Sequence, residues 1–290
     1  MPLAFAFRRL AALLLALVLA LPVAALLPAR VSAQQEPEFY DDEPYAPGQW
    51  NIGRRVDQSE FRYCVDPRDP SWQVDGEIAD AIAQDLLLQP QRYVVPSQIV
   101  LEDITKLYAI LLEHCDVYMG FKLIPEGYPG WVTLTRAYDE VGYVFVTAKS
   151  EIHALADLPP GRPIAATIGT TAHIRLVSYN MAVPAEKRWP TFPYGTNELA
   201  LQAVHDGSAD VALVWGPSFW DKQQHDPAYA AFHIIDSAPL PATKLGVGGL
   251  LLQKNTFLRA GIDQAIDALV SDGAIQAILD KYKYPATAKP

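Results

Sequence analysis

Two stretches far apart in the chain follow one plan. LYAILLEHCDVYMG, residues 107–120, and LALQAVHDGSADVALVWG, residues 199–216, each carry an apolar-striped helix, a short polar turn, a small residue, Asp-Val and an apolar strand. A helix that feeds back into a strand, twice over, constrains the fold class strongly. It builds α/β layers around parallel strands, here in two lobes of similar architecture.

The rest of the chain fits that frame. Phe61 to Val65 is expected as a strand, Asp66 to Pro70 as a loop, and Glu77 to Leu88 as a helix with Ile78, Ala81, Ile82 and Leu86 on its buried face. A short strand at Tyr93 to Val95, a helix over Asp103–Leu112 and strands at Asp116–Phe121 and Gly142–Thr147 follow. The pattern then restarts with a strand at Pro163–Ile168, a helix opened by Gly169-Thr170-Thr171, and a helix over Asn197–His205 that leads into ADVALVW. Leu245 to Gln253 is a return strand, and helices over 256–270 and 273–283 close the chain. Val144-Phe145-Val146 and Leu250-Leu251-Leu252 are apolar on both faces, as strands of a parallel sheet are.

The beginning of the chain reads as an address. Arg8 and Arg9 precede an uncharged apolar run from Leu10 to Ala29, and Val31-Ser32-Ala33 carries the small residues a signal peptidase requires. The run is also long enough to span a bilayer, so an uncleaved anchor is the alternative. Pro22 and the polar QQEPE after Ala33 favour cleavage there and export to the periplasm. With the three leader arginines removed, 20 basic residues face 33 acidic ones, a net charge of −13. Such a balance argues against nucleic acid as a partner. Residues 34–56 gather Glu36, Glu38, Asp41, Asp42 and Glu43 into an acidic flexible arm.

Cys64 and Cys115 are the only thiols, at comparable places in FRYCVD and HCDVYMG. If those strands are neighbours, an oxidising compartment lets the pair bond; otherwise they are two buried thiols.

The motifs of several chemistries are missing. The six histidines include no pair at i, i+4. His114, Cys115 and Asp116, adjacent in a strand, point to alternate faces and do not converge on an ion. There is no nucleophile elbow, dinucleotide fingerprint or P-loop, and Gly246-Val247-Gly248-Gly249 sits inside a strand with no helix after it. No catalytic residue, metal or cofactor is indicated.

Binding chemistry is better represented. Gly169-Thr170-Thr171 stands at a strand end and a helix start, where free amides and two hydroxyls either hold an anion or simply cap the helix. Arg136 is either a carboxylate fork or half of a surface ion pair. Trp72, Tyr128, Trp131, Tyr138 and Trp215 fall in expected loops or at strand ends, which suggests an aromatic-lined cleft.

The order of these segments resembles the family-3 extracellular solute-binding proteins, the periplasmic receptors of polar amino-acid importers, from about Phe61 to Pro285. FRYCVDPRDPSW resembles the opening strand and aromatic loop, LTRAYDEVGYVFV the first crossover, and ATIGTT the start of the second lobe. HDGSADVALV resembles the "GxxDAVV" strand, and KLGVGGLLLQKNTFLRAGIDQAI the return strand and closing helices. The resemblance implies a type II periplasmic-binding-protein-like fold in which each lobe is a mostly parallel sheet flanked by helices. Two crossover hinge strands join lobe 1 (57–145 and 240–290) to lobe 2 (146–239).

Two departures bear on function. The arginine that clamps an amino acid's carboxylate in a T-x-x-R setting is replaced by Ile124-Pro125-Glu126-Gly127-Tyr128. The place of the aspartate for its ammonium falls on Trp215. A standard amino acid would leave both its charges without partners, at a cost of several kcal/mol.

TRAYDEVGYVFV, "CVDP", "CDV-x-MG" and "DVALVWGP" are similar to binding-protein-like accessories of periplasmic quinoprotein methanol and alcohol dehydrogenases. That resemblance implies a non-catalytic accessory for dehydrogenase maturation or activation, with the dehydrogenase or its cytochrome as partner. The alternative is the receptor of an ABC permease for a small organic solute other than an amino acid. A dehydratase-like enzyme on the same fold is the third reading, with Glu77 or Asp66 as its acid. The expected cleft residues are Trp72, Tyr128, Arg136, Gly169, Thr170, Thr171 and Trp215.

Overall fold

A computed structural model describes residues 59–96 and 104–289. The expected signal peptide and acidic arm lie outside the described residues.

The first half of the fold is built on β1 (Glu60–Val65), whose two faces feed two separate cores. Phe61, Tyr63 and Val65 point to one side, where helix α1 (Trp72–Asp85) lays Val74, Ile78 and Ile82 against them. Cys64 points to the other side and packs with Leu107, Tyr108 and Leu111 of α2 (Ile104–Glu113). Alternation along the strand and one turn-by-turn stripe on each helix produce this arrangement. Strands β2 (Gln89–Val94) and β3 (Val117–Lys122) flank β1, both parallel to it.

Cys64 and Cys115 are joined in a disulfide, with Cα atoms 5.6 Å apart. The pairing follows from β1 and β3 being neighbours, with Cys64 beside Tyr118.

After a short strand β4 (Val132–Leu134), the nine-residue β5 (Asp139–Thr147) crosses to the second half. There β6 (Ile164–Thr167) is followed by helix α3 (Thr171–Ala182), strand β7 (Thr191–Tyr194) and helix α4 (Asn197–His205). Next come β8 (Val211–Trp215), α5 (Gly216–His225) and β9 (His233–Ile235). The chain returns through β10 (Thr243–Leu252) and ends in α6 (Thr256–Ser271), α7 (Ala274–Tyr282) and β11 (Ala286–Ala288).

The main path of the sheet runs β2-β1-β3-β10-β5-β8-β6-β7. Its ends are two parallel triads, β2-β1-β3 and β7-β6-β8, as the two repeated segments require. The strands between them are antiparallel to their neighbours, which corrects the expectation for the apolar runs in β5 and β10. Such runs report burial on both faces; here the long crossovers are covered on both faces without being parallel. β5 changes partner midway. Residues 139–143 pair with β10 and residues 143–146 with β8, so Tyr143 faces both Thr243 and Trp215.

Other differences have local causes. Helix α1 starts at Trp72, five residues before the expected start, because Ser71 and a polar first turn precede its apolar stripe. Gly216-Pro217 opens α5, since proline is well suited to the first helical turn. β7 escaped the sequence reading because it contains Pro193, which an edge strand tolerates.

Candidate functional site

In open α/β sheets ligands gather where strands end. β8 ends on Trp215, and its neighbour β6 ends on Thr167. Asn197, the first residue of α4, ties the two ends together. Its Oδ1 accepts from the Trp215 amide at 3.1 Å and from Thr167 Oγ1 at 2.8 Å, and its Nδ2 donates to Ser218 Oγ at 3.1 Å. Alongside the direct pairing of β6 with β8, this amide side chain ties the Trp215 backbone to the end of β6.

That turn is Gly169-Thr170-Thr171. Gly169 adopts φ +77°, a conformation costly for a side-chain-bearing residue. Thr170 caps α3: its hydroxyl accepts from the His173 amide at 3.1 Å and donates to the Thr167 carbonyl at 3.0 Å. The cap occupies the third helical amide, and Ile174 bonds back to the Thr170 carbonyl. The amides of Thr171 and Ala172, the first two of the helix, have no carbonyl partner within it.

Trp215 is only 4% exposed. Its ring lies edge-on to Tyr143, with centroids 4.9 Å apart and planes at 61°. It ends a strand of the second half, yet it packs in the same core as Val141, Val247 and the α1 stripe of the first half. Against its ring, 4.3 Å from the centroid, stands Lys122 Nζ, from the last residue of β3. This is a cation–π contact between the ends of strands from opposite halves of the fold. Burial holds the Lys122 ammonium below the ordinary lysine range, against the pull of the Asp69 carboxylate.

Lys122 was not among the residues expected from sequence. It belongs to no motif, and its isolation becomes visible only once β3 and β8 are placed. Tyr128 braces it from behind, donating to the Lys122 carbonyl at 2.5 Å and lying edge-on to Phe121.

The remaining expected residues are placed elsewhere. Arg136 forms an ion pair with Asp267 on α6, and its amide donates to Asp263 Oδ1 at 2.7 Å. Trp72 begins α1 and packs against the first-half core. Trp131 is core, edge-on to Tyr108 at 4.9 Å. Tyr138 is fully buried; its hydroxyl donates to Asp75 Oδ1 at 2.6 Å and accepts from the Gly120 amide at 3.0 Å. The expected acids are engaged in ion pairs, Asp66 with Arg68 at 2.6 Å and Glu77 with Lys281 at 2.7 Å.

Two carboxyls that the sequence did not single out are deeply buried. Asp75, on the first turn of α1, accepts from Ser71 Oγ at 2.6 Å as well as from Tyr138. Burial first, then the Asp69 charge, push its carboxyl up to about 7. Asp139, at the start of β5, has no hydrogen-bond partner for either oxygen among the described residues. Burial, with Asp75 and Asp69 nearby, holds it well above the usual carboxylate range. No group of three or more His, Cys, Asp or Glu side chains among the described residues is placed to hold a metal ion.

Beside the Tyr143–Trp215 pair lies a shallow recess, lined by Tyr143, Ala172, Arg175, Leu213 and Thr243 among others. Arg175, one turn into α3, donates to Thr243 Oγ1 at 3.3 Å across it. The end of β8 is thus bordered by an aromatic pair, two cations and the start of a helix.

No protein-family model matches the chain, and no curated protein matches it in sequence. Solved structures match its fold. A domain assigned to an amino-acid ABC transporter of Streptococcus pneumoniae as its second substrate-binding domain is 16% identical, over 77% of this chain and 99% of that one, with a TM-score of 0.59. An ancestral arginine-binding protein bound to glutamine is 16% identical over 78% of this chain and 98% of its own, with a TM-score of 0.52. An ancestral amino-acid-binding protein described as a precursor of cyclohexadienyl dehydratase is 18% identical, over 78% and 96%, with a TM-score of 0.52. The chain therefore has a periplasmic-binding-protein-like α/β fold.

Proposed function

We propose that the chain is a non-catalytic solute-binding protein that takes a small organic solute between two lobes and serves an ABC importer. The observation that carries this reading is the meeting of strand ends from both halves at Lys122 and Trp215, beside the crossover where β5 changes partner. Lobe 1 would comprise 57–145 and 240–290, and lobe 2 146–239, with β5 and β10 as the hinge. Export to the periplasm after cleavage at Ala33 belongs to the same reading.

The solute is not a standard amino acid. Trp215 presents an indole where the resembling receptors carry a carboxylate, and Tyr128 faces the Lys122 backbone in the segment that lacks their arginine. Trp72, Gly169, Thr170 and Thr171 remain proposed contacts. Arg136 joins them only if it exchanges Asp267 for the solute.

A second reading draws on the low exposure of Trp215: the protein's own side chains fill the place of a ligand. In that reading the fold assists a periplasmic quinoprotein dehydrogenase or its cytochrome and binds no solute. A thermal-shift series with small organic solutes separates the two. Binding to the folded state raises the melting temperature by mass action, worth about 2.7 kcal/mol at a hundred times Kd. A shift of several degrees at millimolar solute, with a smaller radius of gyration in solution scattering, is the result expected. No shift with any solute, together with co-purification of a quinoprotein dehydrogenase, would replace the receptor by the accessory.

A further inference from the structure

We propose that Lys122 is the anion anchor of the site and that the solute is a small organic carboxylate. The proposal rests on the solute-binding reading and narrows it to one chemical class.

Lys122 is half-buried, and no hydrogen bond or ion pair engages its Nζ among the described residues; its contact is the Trp215 ring. An ammonium has three N–H donors, and a ring face satisfies none of them fully. Other partly buried cations here are paired: Arg62 with Asp116 at 3.0 Å and Arg92 with Asp80 at 2.7 Å. Lys122 lies beyond ion-pair reach of every acidic side chain among the described residues, which leaves its charge for a partner outside them.

The surroundings carry the same sign. Tyr143 links the Trp215 ring to the recess, where the exposed Arg175 donates to the Thr243 hydroxyl. Ala172, in the first turn of α3, lines the same recess. Positive groups therefore flank the aromatic pair from both halves of the fold, Lys122 from β3 and the start of α3 from the other side. An anion bridging them would draw the halves together. Aromatic walls with one ammonium suit a carboxylate on an organic body better than a phosphate, which calls for a denser set of donors.

Isothermal titration with benzoate, succinate, inorganic phosphate and benzyl alcohol tests this on the full mature chain. Benzoate or succinate is expected to bind, with affinity falling tenfold or more in Lys122→Met and largely kept in Lys122→Arg. Cooperative melting of both variants by circular dichroism shows that the fold is intact, and Lys122→Gln replaces Lys122→Met if that variant does not melt cooperatively. Equal carboxylate affinity in Lys122→Met, preference for phosphate, or no heat with either carboxylate overturns the proposal. Binding of benzyl alcohol alone, with contraction in scattering, overturns it while leaving the solute-binding reading intact. Failure of every solute in the wider thermal-shift series removes both.

Discussion

At Asp75 the chain buries a carboxyl group among other acids, and the consequence is a pH dependence of stability with a definite sign. Asp69, Asp139, Tyr138, Tyr284 and Ser71 surround it electrostatically. Its folded value of about 7 lies above its ordinary 3.8, so between those values the folded chain holds a proton that the unfolded chain has lost. Stability contributed by that proton is complete below about 4, declines as pH rises toward 7 and is gone above it. The slope for one such group is about 1.4 kcal/mol per pH unit. Urea denaturation at pH 5, 6, 7 and 8 should show wild-type stability falling up to about pH 7 and levelling beyond it, with a shallower fall in Asp75→Asn. Asp139 belongs to the same cluster but lacks any hydrogen-bond partner among the described residues. An unsatisfied buried group costs about 1–3 kcal/mol, whereas an apolar side chain of similar size does not. Asp139→Leu is therefore expected to raise the urea midpoint at pH 8; a lowered midpoint would mean that the carboxyl has a partner in solution.

The elements differ in how plainly the sequence announces them. Helix α4 falls on Asn197–His205 as expected, because a threonine cap and an apolar stripe coincide at its start. α1 does not, because Gln73 and Asp75 interrupt its first turn with polar groups, one of which is buried. The Gly-rich run lies within β10, as its sequence pattern indicates, and the structure supplies the reason for its glycines. A Cβ on Gly249 would lie 2.6 Å from Val117 Cγ2, and one on Gly248 2.8 Å from Thr135 Oγ1. Neighbouring strands and side chains press too close there for any other residue. The disulfide was legible only as a conditional, since pairing depended on β1 and β3 being adjacent. The candidate site was legible in its backbone parts, the Gly-Thr-Thr turn and the end of β8. The lysine, supplied by a strand more than ninety residues earlier, was not. The cross-link spans 51 residues between β1 and the start of β3. By the loop-entropy relation, closing a loop of that length stabilises the fold by about 4 kcal/mol. The Cys64→Ser/Cys115→Ser double variant should lose a comparable amount in guanidinium denaturation. A loss below about 1 kcal/mol would show that the unfolded chain is already held compact by other means.

At the scale of the molecule, the two parallel triads are tied through β5 and β10, and their strand ends meet at one aromatic ring. Trp215 belongs by chain to the second triad and by packing to the core of the first. Its backbone is held by Asn197, and the following Gly216 lies so close to the Gly142 carbonyl that a Cβ would come within 2.8 Å of it. The tryptophan is therefore fixed on the crossover and reaches across to Lys122. Truncating it removes both the buried indole and the cation–π contact. The first loss is worth about 3–5 kcal/mol for a buried tryptophan and the second about 0.5–2 kcal/mol where partly desolvated. Much of this acts between the halves rather than within either one. Trp215→Ala is thus expected to lower the melting temperature and also to enlarge the radius of gyration of the solute-free protein. Cavity variants inside a single half, such as Leu201→Ala in the second-half core, should lower the melting temperature without that expansion. If Trp215→Ala destabilises the fold as much as Leu201→Ala while the scattering profiles of the two coincide, the indole is ordinary core. The meeting of the halves would then have to be sought in the hinge strands themselves.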